Sequence, residues 1–132
     1  MFVDTTFCID LIRETHRGPG PATAALQRLG DTAIFAAVFV LCELHAGARM
    51  SANVQRELRG VERLAENLTV VYPDEAFPVA YAELEAALRR NGTPIPTMDL
   101  LIGTTAKMRG LPLLTRDAEH YRLIPGLILE SY

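Results

Sequence analysis

Phe2-Val3-Asp4-Thr5-Thr6 is the stretch that decides the fold. It reads as a short apolar strand that ends in an acid and two hydroxyl residues. An amphipathic helix, Phe7 to Arg13, follows at once. A strand that feeds straight into a helix implies an α/β sheet with this strand near the centre. In such sheets ligands sit beyond the carboxyl ends of the strands, which is where Asp4 stands.

Outward from that stretch the chain alternates. Gly18-Pro19-Gly20-Pro21 is a loop by composition. Ala22 to Leu29 reads as a second helix, stopped by Gly30, and Thr32 to Ala37 as a second strand. Val40 to Arg49 is helical with Glu43 one turn in. Ser51 to Asn67 repeats Val54, Leu58, Val61 and Leu64 at helical spacing. Leu68 to Tyr72 is a third strand. Asp74 caps a long helix that runs to about Arg90. Thr97 to Arg109 is the next helix and Leu111 to Leu114 the fourth strand. A short helix over Ala118 to Tyr121 and an edge strand over Leu127 to Leu129 complete the pattern. The alternation predicts a single α/β domain over residues 1–132 with a mostly parallel sheet.

Composition narrows the function. Hydrophobic residues make up 49% and charged residues 22%, a globular balance. The net charge of −3 is not that of a strong, non-specific nucleic-acid binder. It leaves room for an enzyme that meets nucleic acid through a metal and a local basic rim. Cys8 and Cys42 both lie in apolar surroundings and are expected to be buried, reduced thiols. There is no leader-like segment and no apolar run near the ~20 residues that span a bilayer, so a cytoplasmic protein with no membrane contact is expected.

Four acids fall at comparable places along this pattern: Asp4, Glu43, Asp99 and Asp117. Taken singly, Asp4 and Asp117 also read as caps or turns, and Asp99 as a first-turn charge suited to the helix dipole. Glu43 is different. It interrupts the apolar run Ile34 to Leu44 with no basic residue nearby in sequence. Burial penalises such a carboxylate unless something pairs with it. Carboxylates gathered at one sheet edge repel unless a cation bridges them. Oxygen-only ligands suit Mg²⁺ or Mn²⁺, and acid-held Mg²⁺ is a device for phosphodiester hydrolysis. His16, His45 and His120 have no zinc-type spacing and read as surface or packing residues. Serine-hydrolase elbows, Walker loops and dinucleotide fingerprints are absent.

Four segments in order then resemble a known family. They are Val3-Asp4-Thr5-Thr6 with Ile9 to Ile12, Glu43 to Ala48, Ile95 to Ala106, and Leu113 to Asp117 leading to Ile124-Pro125-Gly126-Leu127. They resemble the PIN-domain ribonucleases, specifically the VapC-type toxins of type II toxin–antitoxin pairs. The resemblance implies a PIN-like three-layer sandwich: a five-stranded sheet, first strand central, helices on both faces. It implies that Asp4, Glu43, Asp99 and Asp117 converge on Mg²⁺ or Mn²⁺, and that RNA is hydrolysed by water the metal activates. It also implies inhibition by a cognate VapB-type antitoxin and a homodimer. Two departures stand out. Thr6 occupies a position where the family often has Asn or Ser, and the second strand–helix junction, Ala36 to Val40, lacks the usual hydroxyl cap.

On this reading Asp4 and Asp99 are the main metal ligands, and Glu43 and Asp117 complete the cluster and orient the attacking water. Thr6 and Thr115 support the carboxylates, and Arg116 touches the scissile phosphate. An apolar groove beside the first helix, with Ile9, Ile12, Leu58 and Val61, is expected to take a partner helix. The rival readings are a PIN-fold binding module without catalysis and a receiver-type phospho-acceptor. The second lacks its paired acids after the first strand and its lysine after a later one.

Overall fold

The computed structural model describes all 132 residues. Its elements, in order, are β1 (Phe2–Val3), α1 (Thr5–Arg17), α2 (Pro21–Leu29), β2 (Phe35–Ala37), α3 (Val38–Arg49), α4 (Val54–Ala65), β3 (Thr69–Val71), α5 (Phe77–Arg90), α6 (Thr97–Met108), β4 (Leu113–Leu114) and β5 (Leu129–Glu130), with a 3-10 turn at Tyr121–Leu123 before the last strand. The sheet has five strands in the order β3-β2-β1-β4-β5, so β1 is central, as expected. Every pairing is parallel, in register Phe2 with Phe35 and with Leu113, and Val3 with Leu114.

Parallel strands need covered faces, and the residues of β1 are apolar on both. Phe2 and Val3 are fully buried, as are Ala36 and Ala37 of β2 and Leu113 of β4. The chain moves from β1 out to β2 and β3, then returns to β4 on the other side. Right-handed crossovers therefore put α1 to α4 on one face and α5 and α6 on the other. In agreement, α1 packs on α2, α3 and α4, and α5 packs on α6. The reversal of direction between β1 and β4 opens a crevice at their carboxyl ends, the place where such sheets bind ligands.

Local differences from the sequence reading have plain causes. The first helix is longer than Phe7 to Arg13 and starts at Thr5, because Asp4 caps it by accepting the Phe7 amide at 2.8 Å. Helix α4 starts at Val54, capped by Asn53, whereas the Ser51 hydroxyl donates back to the Ala48 carbonyl and closes α3. Asp74 does not cap α5. It accepts the Ala76 amide in the turn before the helix, whose second position is Pro78. The expected Ala118 to Tyr121 helix is the 3-10 turn two or three residues later, and the last strand is likewise shifted to Leu129–Glu130.

Cys8 is buried as expected, but Cys42 is exposed. Helix α3 is apolar nearly all round, so its core-facing side cannot be read from hydropathy. The buried stripe is Val40, Leu44 and Ala48, and Cys42 lies about 200° away from its neighbours in that stripe. Glycine matters where α6 meets the segment after the 3-10 turn. A Cβ on Gly103 would stand 2.3 Å from the Ile124 Cδ1, so only glycine lets that segment close over α6 without rearrangement.

Candidate active site at the carboxyl edge of the sheet

Asp4 is placed by the end of β1, Glu43 by the second turn of α3, Asp99 by the first turn of α6, and Asp117 by the loop after β4. These elements converge at the β1–β4 crevice. A pocket of about 170 Å³ there is lined by Asp4, Thr5, Thr6, Glu43, Asp99, Asp117 and Tyr121. The four acids named from sequence thus share one cavity, and no Lys or Arg lines it.

Three of the four carboxylates have a hydrogen-bond partner of their own, and Asp117 is held through its backbone amide. Asp4, 1% exposed, accepts the Phe7 amide on Oδ1 and the Thr115 hydroxyl on Oδ2 at 2.5 Å. The Thr115 oxygen in turn accepts the Asp117 amide at 2.9 Å, so one buried hydroxyl ties two of the acids together. Thr5 donates its hydroxyl to Glu43 Oε2. Thr6, expected in a supporting role, lines the pocket and its hydroxyl helps hold the Asp4 carboxyl down, while the bond to Glu43 comes from its neighbour Thr5.

The support for Asp99 was not visible in the sequence. His120 Nδ1 lies 2.6 Å from Asp99 Oδ2. His120 reads as a surface residue because nothing local pairs it, and its partner is 21 positions away on another element. Arg116 forms an ion pair with Asp10 at 3.1 Å, just outside the pocket lining.

The electrostatics follow from burial and like charge. Burial pushes the Asp4 carboxyl up to about 6, against the hydrogen bonds from Thr115, the Phe7 amide and Thr6, and the charge on Asp117 adds to the rise. The Tyr121 phenol is held neutral, first by burial and then by the charges of Asp4, Asp99, Glu43 and Asp117. Tyr121 lines the same pocket as the four acids.

The donor set fits a hard cation. It is all oxygen, negatively charged and free of lining cations, so a divalent ion relieves its repulsion. No three His, Cys, Asp or Glu side chains are arranged to hold one ion directly between them.

Thr115 offers a direct test of the network. Replacing it with valine keeps the shape but leaves the Asp4 oxygen and the Asp117 amide without partners. We expect Thr115→Val to lose about 2–3 kcal/mol in urea unfolding, with Thr115→Ser recovering most of it. A valine variant as stable as the parent removes Thr115 from this role.

The same site lies within a sequence that has relatives. The PIN domain family model matches residues 1–124. Ribonuclease VapC1 of Haemophilus influenzae is 28% identical over 125 residues, 95% of this chain and 92% of that protein. The tRNA(fMet)-specific endonuclease VapC of Salmonella typhimurium is 33% identical over 92 residues, 70% of each chain. Among solved structures, VapBC2 from Rickettsia felis, bound to a DNA fragment from its promoter, matches with a TM-score of 0.89 at 25% identity, covering 99% of this chain and 97% of its own. With fold and sequence agreeing over nearly its whole length, the chain belongs to the PIN-domain family.

Proposed function

We propose that the chain is a metal-dependent endoribonuclease and the toxin of a VapBC-type pair. The observation that carries this is the convergence of Asp4, Glu43, Asp99 and Asp117 on one cation-free pocket at the β1–β4 crevice. The ribonuclease names of the relatives supply the substrate class. Asp4 and Asp99 hold Mg²⁺ or Mn²⁺, and Glu43 and Asp117 complete its surroundings and orient the attacking water. When bound, the ion polarises water and offsets charge developing on the phosphodiester. The chain's own contribution is positional. Thr115 and the Phe7 amide fix both oxygens of Asp4, Thr5 fixes Glu43, and His120 fixes one oxygen of Asp99.

The partner is a VapB-type antitoxin, as in the VapBC complexes this chain resembles. A groove of about 370 Å³ between α1, α3 and α4 has an apolar floor that includes Ile9, Ile12, Leu44, Ala48 and Val61, and it ends at Glu43. Leu58, expected in it, packs against the core instead. Arg13 and Arg17 line it beside the Arg56–Glu57 ion pair, and suit a segment that is apolar on one side and acidic on the other. No helix is long and apolar enough to cross a membrane. A cytoplasmic homodimer completes the reading, and sedimentation of the purified chain tests that assembly.

Purified protein is expected to cut RNA with Mg²⁺ or Mn²⁺ and to stop when EDTA is added. Restoring the ion restores cleavage. Cutting that persists in EDTA after chelating dialysis refutes the metal assignment, and no cutting with any divalent ion refutes the nuclease.

A further inference from the structure

The acid pocket has a difficulty of its own. RNA is a polyanion, and the pocket that must receive one of its phosphates is lined by four carboxylates and no cation. A divalent ion relieves this at the scissile phosphate alone. The neighbouring phosphates still face the negative field, so a cation beside the pocket has to hold the strand.

Arg116 stands at that place in the chain. It lies between Thr115, whose hydroxyl binds Asp4, and Asp117, whose amide binds Thr115. The Thr115 amide is pinned to the Glu130 carbonyl at 2.9 Å, so the backbone entering Arg116 is fixed by β5. The side chain is paired as well. Its Nε lies 3.1 Å from Asp10 Oδ2. The Tyr132 hydroxyl donates to the same oxygen at 2.9 Å, and the Tyr132 ring packs edge-on against Phe7 with centroids 5.0 Å apart. Phe7 is the residue whose amide Asp4 accepts. The Asp10 side chain is 13% exposed, whereas that of Arg116 is 53% exposed.

The ion pair is closest at the inner nitrogen of the guanidinium, and neither of the two terminal nitrogens makes a hydrogen bond to the protein. Those two carry the planar fork that matches a phosphate. An arginine already held in place loses less freedom on binding than a mobile one. The charge of Asp4 contributes, after burial and Asp10, to holding the Tyr132 phenol neutral, so the clamp sits within the field of the acid site.

We propose that Arg116, held by Asp10 and Tyr132, is a phosphate-binding residue that anchors single-stranded RNA next to the acid pocket. This rests on the ribonuclease reading above and adds to it a positioning pair, Asp10 and Tyr132, that touches no substrate.

The test exploits the sign of a charge. If Asp10 only contributes negative potential near the site, Asp10→Asn tightens RNA binding. If Asp10 positions Arg116, the same change weakens it. Binding of a short labelled RNA is measured by anisotropy in EDTA, in an Asp99→Asn background, across a salt series. Arg116→Gln is expected to raise Kd about tenfold and to lower the slope of log K against log salt by about 0.7, one single-strand phosphate contact. Arg116→Lys restores the slope but not the affinity. Asp10→Asn and the charge-neutral Tyr132→Phe each raise Kd at least about threefold. With Asp99 restored and Mg²⁺ present, these two changes raise KM more than they lower kcat. Arg89→Gln, which breaks an exposed pair with Glu85 on α5, is the control and changes neither. Thermal melts identify any variant that fails to fold, and Tyr132→Phe then carries the test. Unchanged or tighter binding by Asp10→Asn overturns the proposal, as does an unchanged Kd for Arg116→Gln. A parent that cuts RNA while these variants bind normally sinks only this inference. A parent that neither cuts nor binds RNA sinks the ribonuclease reading and this inference with it.

Discussion

Asp4→Asn is expected to abolish cleavage and, in metal-free buffer at pH 8, to raise the melting temperature by about 10 °C. The two effects share one cause. Asp4 is almost fully enclosed, and burial lifts its carboxyl from an ordinary 3.8 to about 6. The folded chain therefore binds the Asp4 proton more tightly than the unfolded chain does. Stability from this residue is fully present below about pH 3.8 and is lost as pH rises through about 6. At pH 8 the ionised carboxylate costs up to about 3 kcal/mol relative to its protonated form, which for a domain of this size is about 10 °C. Asparagine resembles the protonated acid. Its Oδ1 still accepts the Phe7 amide, and its Nδ2 faces the Thr115 oxygen. The gain should therefore vanish between pH 6 and pH 4, where parent and variant converge. Excess Mg²⁺ reverses the order at pH 8 by stabilising the parent alone, through mass action on the folded state. Melts in EDTA and in Mg²⁺ across this pH range check each step. A variant that melts at or below the parent at pH 8 in EDTA shows that the buried charge carries no penalty, and the metal argument weakens with it.

Such a penalty makes sense only if something uses it. A chain selected for stability alone would place a neutral residue at the end of β1. Keeping an ionisable group there, beside Asp117 in a pocket shared with Asp99 and Glu43, stores a burial penalty with some like-charge repulsion that a cation offsets. The hydrogen bonds from Thr115 and Phe7 then have two tasks. They limit the penalty, and they aim the carboxylate.

The main lines of this arrangement could be read from the sequence because they are local. Phe2-Val3-Asp4 is a strand that ends in an acid whatever surrounds it, and Glu43 stands out because it breaks an apolar run. The central place of the first strand followed from its running straight into a helix, and the five-stranded sheet was implied by the family resemblance. What escaped was set by helix phase or by distance along the chain. The bond from Thr5 to Glu43 depends on the axial rotation of α1, which the sequence does not show. Cys42 sits on a helix too uniformly apolar to show its outer side. His120 meets Asp99, and Tyr132 meets Asp10, across 21 and 122 positions. Glu14 is a further case. Its carboxylate accepts the amides of Gly20, Ala22 and Thr23 and so caps α2 from the end of α1. The Gly-Pro-Gly-Pro loop hides that cap, because no residue inside the loop supplies it.

Asp99→Asn is expected to lose cleavage as fully as Asp4→Asn, by about 10³-fold, but to leave metal-free stability within about 1 kcal/mol of the parent. The activity forecast rests on the proposed role of Asp99 as a metal ligand. Several kcal/mol of charge stabilisation at the phosphodiester depends on the ion being held in place, and about 4 kcal/mol corresponds to 10³ in rate. The stability forecast differs from that for Asp4 because the surroundings differ. The Asp99 side chain is 26% exposed and its partner His120 is 39% exposed, so water screens both the pair and the repulsion from the other acids. A pair of this exposure contributes about 0–1 kcal/mol, and relief of like-charge repulsion offsets it. His120 Nδ1 also keeps a partner in the asparagine oxygen. If Asp99 instead served only its helix, as a first-turn charge facing the α6 dipole, asparagine would cost ~0.3–1 kcal/mol. It would then leave both cleavage and the Mg²⁺ response intact. The measurement that separates these is the Mg²⁺-induced shift in melting temperature, read beside RNA cleavage. The parent should shift upward with Mg²⁺ and the variant should not. An Asp99→Asn protein that cuts RNA and retains the full Mg²⁺ shift takes Asp99 out of the site, and with it the reason for His120 to stand where it does.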